Sequence, residues 1–303
     1  MASPTVAPRY LLGNDAAAAQ RLRVLDEVYH STTMALLERA GLREGWRCAD
    51  IGCGTGLMTL AMAERVGAAG SVVGVDQAES FLNEARHDAS KRELANVKFM
   101  EGDAQSLTAR CSDGSRRRKE AECEMATGSL INPPPYVGGY DADSFDLVYA
   151  RCLLSHLNEP LRALQAMAAL ARPGGCVVVE DIDCGGVFTH PEAPSLMRHL
   201  DLYQRVMRLN GGDPLIGRKL PRLCRKAGLT DVRFEVVSPS EPREAVKRLY
   251  PLTLACLKLA IVESNLATAS EVDALVAELN AMANDPAETV SSCPMVQVWA
   301  RKS

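Results

Sequence analysis

A mostly parallel α/β fold is predicted by three features of the sequence. Strand-like and helix-like segments alternate from Arg47 to Met100. A glycine-rich turn, Asp50-Ile51-Gly52-Cys53-Gly54-Thr55-Gly56, stands where the first strand gives way to a helix. A second turn, Arg172 to Gly175, feeds the short apolar run Cys176 to Glu180 from another helix. Strands that alternate with helices must be joined by crossovers, which gives a parallel sheet with right-handed connections.

The elements follow in order. From Asp15 to Ala40, Leu22, Leu25, Val28, Met34 and Leu37 recur at helical spacing. Ser31, Thr32 and Thr33 read as a break and N-cap between two helices, and Gly41 closes the second. Next come strand Arg47 to Ile51, helix Leu57 to Val66, strand Ser71 to Val75, helix Glu79 to Lys91 and strand Val97 to Met100. Ser106 to Asp143 breaks the rhythm with the basic run Arg116 to Lys119, the prolines Pro133 to Pro135, and Gly138-Gly139. Its composition predicts a long, mobile surface insertion. Regular structure resumes with strand Phe145 to Tyr149, helix Pro160 to Ala171 and strand Cys176 to Glu180. Helices from Leu196 to Leu209 and Leu220 to Ala227, strand Val232 to Val237, two helices within Pro242 to Met282 and a strand near Met295 to Trp299 complete the chain.

Composition excludes several classes. A chain of 303 residues with 47% hydrophobic and 24% charged residues supports a substantial core. The net charge of −4 offers no overall attraction to nucleic acid or anionic lipid, so neither is an expected partner. Met1 to Gly13 lacks a signal-type apolar core, and Leu252 to Val262 is short and carries Lys258, so a cytoplasmic protein without a membrane segment is expected. The ten cysteines form no Cys-x-x-Cys pair and read as buried reduced thiols, with no metal. Cys111 and Cys123, flanking an irregular segment, could in principle bridge or bind a metal, but a lone pair without a partner cluster argues against it.

The chemistry concentrates around the first turn. Glycines let a backbone bend sharply and approach a ligand without Cβ contact. Asp76 ends the second strand about twenty residues after the last glycine, where a carboxylate can accept both hydroxyls of a ribose. Asp103, in Gly102-Asp103-Ala104, puts another carboxylate at the same sheet edge, suited to an adenine amino group or to capping its own turn. Enzymes that bind NAD share the strand, turn and acid, but their pattern places its last glycine where this chain has Leu57.

Five motifs in order, Asp50 to Gly56, Val75-Asp76, Gly102-Asp103-Ala104, Ser144 to Val148 and Arg172 to Gly175, resemble class I S-adenosylmethionine-dependent methyltransferases. Tyr10 to Gly13, Glu180 to Asp183 and Gly211 to Gly217 look like a small-molecule subgroup related to the quinone-biosynthesis enzymes. The resemblance implies a Rossmann-like seven-stranded, mostly parallel sheet, its last strand antiparallel, with helices on both faces and a small helical cap. It implies three regions: an N-terminal helical flap over 1–45, a cofactor-binding core over 46–190 carrying the insertion 106–143, and the rest of the core with the cap over 191–303. It also implies S-adenosylmethionine as cofactor, held by Tyr10, Asp50, Gly52, Cys53, Gly54, Thr55, Gly56, Asp76, Gln77, Gly102, Asp103, Ala104, Arg151, Cys152 and Leu153. The expected partner is a small-molecule methyl acceptor, and the expected state a monomer or homodimer. The alternatives are an NAD(P)-dependent oxidoreductase and a protein that binds S-adenosylmethionine without catalysis.

A hydroxyl or acidic carbon acceptor needs a base, whereas a free amine does not. His156, Glu180 and Asp181 stand at the functional sheet edge, and Tyr10 in the flap, as candidate catalytic residues. Asn132-Pro133-Pro134-Pro135-Tyr136 resembles the Asn-Pro-Pro-Tyr signature of amide and base methylating enzymes. It precedes the fourth strand rather than ending it and has one proline too many, so it reads as a loop.

Overall fold

A computed structural model describes residues 10–107, 144–240 and 243–303. The insertion, apart from its first residues Ser106 and Leu107, lies outside the described residues, as do Asn132 to Tyr136, Cys111 and Cys123.

The first element of the described residues is one long helix, α1 (Ala16–Ala40). Asp15 caps it by accepting from the Ala18 amide at 2.9 Å, and Gly41 ends it in the left-handed conformation at φ 109°. The expected break at Ser31 to Thr33 does not occur. The Thr32 hydroxyl donates to the Tyr29 carbonyl at 2.9 Å, and Thr33 donates to Glu180 at 2.6 Å. Their hydroxyls are satisfied with the helix intact, so they do not compete with its backbone.

Strands β1 (Arg47–Ile51), β2 (Ser71–Asp76) and β3 (Val97–Glu101) alternate with α2 (Leu57–Val66) and α3 (Glu79–Lys91). Then come β4 (Phe145–Arg151), α4 (Pro160–Leu170) and β5 (Ala171–Ile182), which runs through the Arg172 to Gly175 turn. The second half contributes β6 (Thr189–His190), α5 (Pro194–Leu209), α6 (Leu220–Lys226), β7 (Thr230–Val237), α7 (Arg243–Glu263), α8 (Ala269–Asn284), β8 (Thr289–Val290) and β9 (Met295–Arg301).

Seven strands form one sheet in the order β3-β2-β1-β4-β5-β9-β7. The pairs among β1 to β5 are parallel, while β9 runs antiparallel to both β5 and β7. The predicted sheet and its antiparallel last strand are therefore present. β6 and β8 pair as a separate ribbon that the sequence reading lacks. Strands this short carry too few residues for a periodic signal.

Ala163, Leu164, Met167, Leu220 and Cys224 of α4 and α6 pack on one face of the sheet. Leu36, Leu37, Met58 and Met62 of α1 and α2 cover the other. Burial on both faces explains why the central strands read as apolar runs. Helices α5, α7 and α8 share a separate core around Leu196, Leu200, Leu254, Leu257, Val272 and Leu275. The strand order reverses between β1, which leads to β2, and β4 on its other side. In open α/β sheets the crevice outside the strand ends at such a reversal is where ligands bind.

Candidate functional site

The glycine loop is shaped by its three left-handed residues, Gly52 at φ 75°, Gly54 at φ 53° and Gly56 at φ 77°. The amides of Gly52 and Cys53 both donate to the Val75 carbonyl, at 2.7 and 3.0 Å, tying the loop to the end of β2. Asp76 completes the tie. One carboxylate oxygen accepts from the Gly54 amide at 2.8 Å and the other from Ala78 at 2.9 Å. A carboxylate offers about four acceptor directions, so acceptor capacity remains for ligand hydroxyls. Burial raises the Asp76 pKa, opposed by the backbone donors of Ala78, Gly54 and Gln77.

This loop opens on a cavity of about 1270 Å³. Asp50, Gly52 to Thr55, Asp76, Gln77, Gly102, Ala104 and Arg151 to Leu153 line it, together with Tyr10 and His156. Tyr10 to Asp15 close one side, and Val206, Leu209, Cys256 and Leu259 of α5 and α7 close another. Tyr10 to Asp15 and residues of α5 and α7 thus border the cavity at the strand ends. Asp50 is 2% exposed, accepts the Thr59 hydroxyl at 2.6 Å, and is raised to about 6 by burial.

Four of the expected site residues do not line the cavity. Gly56 does not line the cavity; its Cβ would meet Ala85 at 2.7 Å and Phe99 at 2.9 Å, so it lets α2 and α3 approach. Asp103 turns away as well, accepting from the Gln105 amide at 2.9 Å and the Ser106 hydroxyl at 3.0 Å, which is the capping role. Its neighbours Gly102, Ala104 and Gln105 face the cavity instead. Glu180, a candidate catalytic residue, is buried off the cavity. It accepts from Thr33 at 2.6 Å, Tyr149 at 2.5 Å and Gln297 at 2.6 Å, so it ties α1, β4, β5 and β9 together. Asp181 is likewise off the cavity; it accepts from the Ser155 and Ile182 amides at 2.9 Å each. Burial raises it to about 6.

Tyr10 and His156 do come together at the cavity, their ring centroids 5.1 Å apart in an edge arrangement. Burial, with the Arg21 charge adding, lowers His156 to about 3, so its imidazole is neutral at pH 7. Arg151 pairs with Asp26 at 2.8 Å and keeps its charge.

Arg21, Gln105 and Leu157 also line the cavity and are absent from the sequence reading. Arg21 had a signal available. It sits beside Leu22 and Leu25 on the apolar stripe of α1, where a cation demands a partner.

The donor set fits an adenosine-bearing cofactor: a glycine turn open to the backbone, a half-buried acid at the end of β2, and an apolar-roofed cavity beyond them. The family comparison agrees. Residues 42–228 match the model of a methyltransferase domain, and the chain belongs to that family. It is 27% identical over 142 residues to a demethylmenaquinone methyltransferase of Shouchella clausii, covering 47% of each chain. An uncharacterized methyltransferase of Schizosaccharomyces pombe is 26% identical over 176 residues, 57% of this chain and 53% of that one. The chain thus spans about half the length of these curated relatives. Among solved structures, a phosphoethanolamine N-methyltransferase of Haemonchus contortus with S-adenosyl-L-methionine shares the fold. Its TM-score is 0.57 at 18% identity, covering 99% of this chain and 60% of that one. No described helix is long and apolar enough to cross a membrane.

Proposed function

We propose that this chain transfers a methyl group from S-adenosylmethionine to a small-molecule acceptor by direct displacement. The observation that carries the reading is the clamp of Asp76 on the Gly54 amide, opening onto the roofed cavity. Its volume of about 1270 Å³ exceeds the roughly 300–1000 Å³ of ordinary small-molecule pockets, which favours room for a cofactor and an acceptor together.

Asp76 binds the ribose hydroxyls, and Gly52 to Thr55 present their backbone to the amino-acid portion. Gly102, Ala104 and Gln105 border the adenine. When bound, the cofactor supplies a sulfonium methyl group whose transfer neutralises charge. The chain's share is to exclude water and hold the acceptor's lone pair in line, from which most of the acceleration can come. Leu153, Leu157, Val206 and Leu259 supply apolar walls for this.

Of the four candidate catalytic residues, Glu180 and Asp181 do not reach the cavity, Tyr10 is a neutral phenol at pH 7, and His156 is too weak a base at about 3. That set favours an acceptor atom needing no strong base: a free amine, or an oxygen already ionised at pH 7. Tyr10 and His156 position the acceptor. The three regions, flap, core and cap, have the corresponding roles of closing, binding and roofing.

The test is incubation with methyl-labelled S-adenosylmethionine and a panel of small amines, phenols and carboxylic acids. Label in a panel product supports the reading. Cofactor binding with no labelled product across the panel would favour the non-catalytic alternative.

A further inference from the structure

Beside the main cavity lies a recess of about 40 Å³, lined by Arg21, His156, His199, Tyr203, Tyr250 and Thr253 among others. Arg21, Leu25, Cys152 and His156 border both spaces, so the recess adjoins the acceptor region of the cavity. Three of its polar groups are under-used. Arg21 is 7% exposed, its Nε donates to the Thr253 hydroxyl at 3.0 Å, and among the described residues no carboxylate forms an ion pair with it. The Nδ1 atoms of His156 and His199 are buried without a hydrogen-bond partner among the described residues. His199 is 2% exposed.

A buried guanidinium needs a compensating anion, and buried imidazole nitrogens need partners. Arg151, the other arginine lining the cavity, has Asp26 for this purpose. Burial and the Arg21 charge lower both His156 and His199 to about 3, so neither histidine competes with Arg21 as a second cation. A neutral imidazole protonated at Nδ1 donates one hydrogen bond, and Arg21 retains donors beyond Nε. The recess is small. A site needs roughly 10–15 Å³ of such volume per water, so about three water-sized atoms fit, the size of a carboxylate and not of a metabolite.

Resting on the methyl-transfer reading, we propose that the acceptor carries a carboxylate, which enters the recess and is bound by Arg21 with His156 and His199 while the rest of the molecule stays in the main cavity. The planar guanidinium matches a carboxylate in two parallel hydrogen bonds. Specificity for acids over their neutral amides then resides in Arg21.

The cofactor also has a carboxylate, and the test separates the two sources. Binding of benzoate and benzamide is measured by calorimetry on the full chain saturated with S-adenosylhomocysteine, for the wild type and for Arg21→Gln and Arg21→Lys. Benzoate is expected to bind at least about tenfold tighter than benzamide, because charge-assisted hydrogen bonds are about twice as strong as neutral ones. That preference should fall below threefold in Arg21→Gln and persist in part in Arg21→Lys. In parallel, S-adenosylhomocysteine and 5′-methylthioadenosine, which lacks the amino-acid carboxylate, are titrated into wild type and Arg21→Gln. The two ligands are expected to respond alike. Selective loss of S-adenosylhomocysteine affinity in Arg21→Gln would assign Arg21 to the cofactor and overturn the proposal. Equal binding of benzoate and benzamide by the wild type would also overturn it, leaving a water-filled recess. Failure of the wild type to bind S-adenosylhomocysteine at all would instead defeat the methyl-transfer reading.

Discussion

Replacing Asp76 by alanine removes the acceptor that ties the glycine loop to β2 and, on the proposed reading, holds the ribose. In the free protein the change strips the Gly54 and Ala78 amides of partners now at 2.8 and 2.9 Å. A buried donor left unsatisfied costs about 1–3 kcal/mol, and water entering from the cavity offsets part of that. In the complex, hydrogen bonds from two ribose hydroxyls to the carboxylate are lost as well, each worth roughly 1.5–3 kcal/mol. Allowing for non-additivity, the net loss of binding is about 2–4 kcal/mol, on the order of 30- to 1000-fold in Kd. Asp76→Asn keeps one oxygen for a backbone donor and is expected to fall between. Calorimetric titration with S-adenosylhomocysteine reads the effect, and circular dichroism confirms the fold of each variant. An affinity within threefold of wild type for a folded Asp76→Ala would refute the reasoning.

Further outcomes follow from the same contacts. Glu180→Gln places an amide donor among the donors Thr33, Tyr149 and Gln297, and should lower unfolding free energy by about 1–3 kcal/mol while S-adenosylhomocysteine affinity stays within threefold of wild type; a large affinity loss would return Glu180 to the site. Asp50 and Asp181 are each raised from 3.8 to about 6, so the folded chain holds their protons more tightly than the unfolded one. Their contribution to stability is present below pH about 4 and is lost as pH rises through about 6. Asp181→Asn should therefore flatten the decline of stability in denaturant titrations across that window, and an unchanged slope would count against the assignment. Gly56→Ala combines a φ of 77° with a Cβ 2.7 Å from the Ala85 Cβ, and should cost about 1–3 kcal/mol in denaturant unfolding; a neutral effect would mean that α2 and α3 yield easily.

The core of the fold was legible because its signals are local. β1, α2 and β2 occupy buried apolar segments, α3 and β3 partly buried ones, all bounded by glycine and polar turns, and their observed bounds fall within one residue of the predicted ones. The unbroken α1 was not legible, because the partner of Thr33 is Glu180, 147 residues away. Asp76 followed from its place after β2. Asp103 and Glu180 carried the same signal, an acid at a strand end, but Asp103 is taken up by its own turn through Gln105 and Ser106, and Glu180 by the distant Thr33, Tyr149 and Gln297. Arg21 shows the converse. Its position on the apolar stripe was visible, but its proximity to Thr253 and His199 depends on how the cap packs.

The central claim, that the glycine loop and Asp76 form a site for a sulfonium nucleoside, is tested most directly by the thermal stability of the full chain with S-adenosylhomocysteine and with NADH. The expected result is a rise in Tm that grows with S-adenosylhomocysteine concentration, with none from NADH. Stabilisation by NADH alone would contradict the claim.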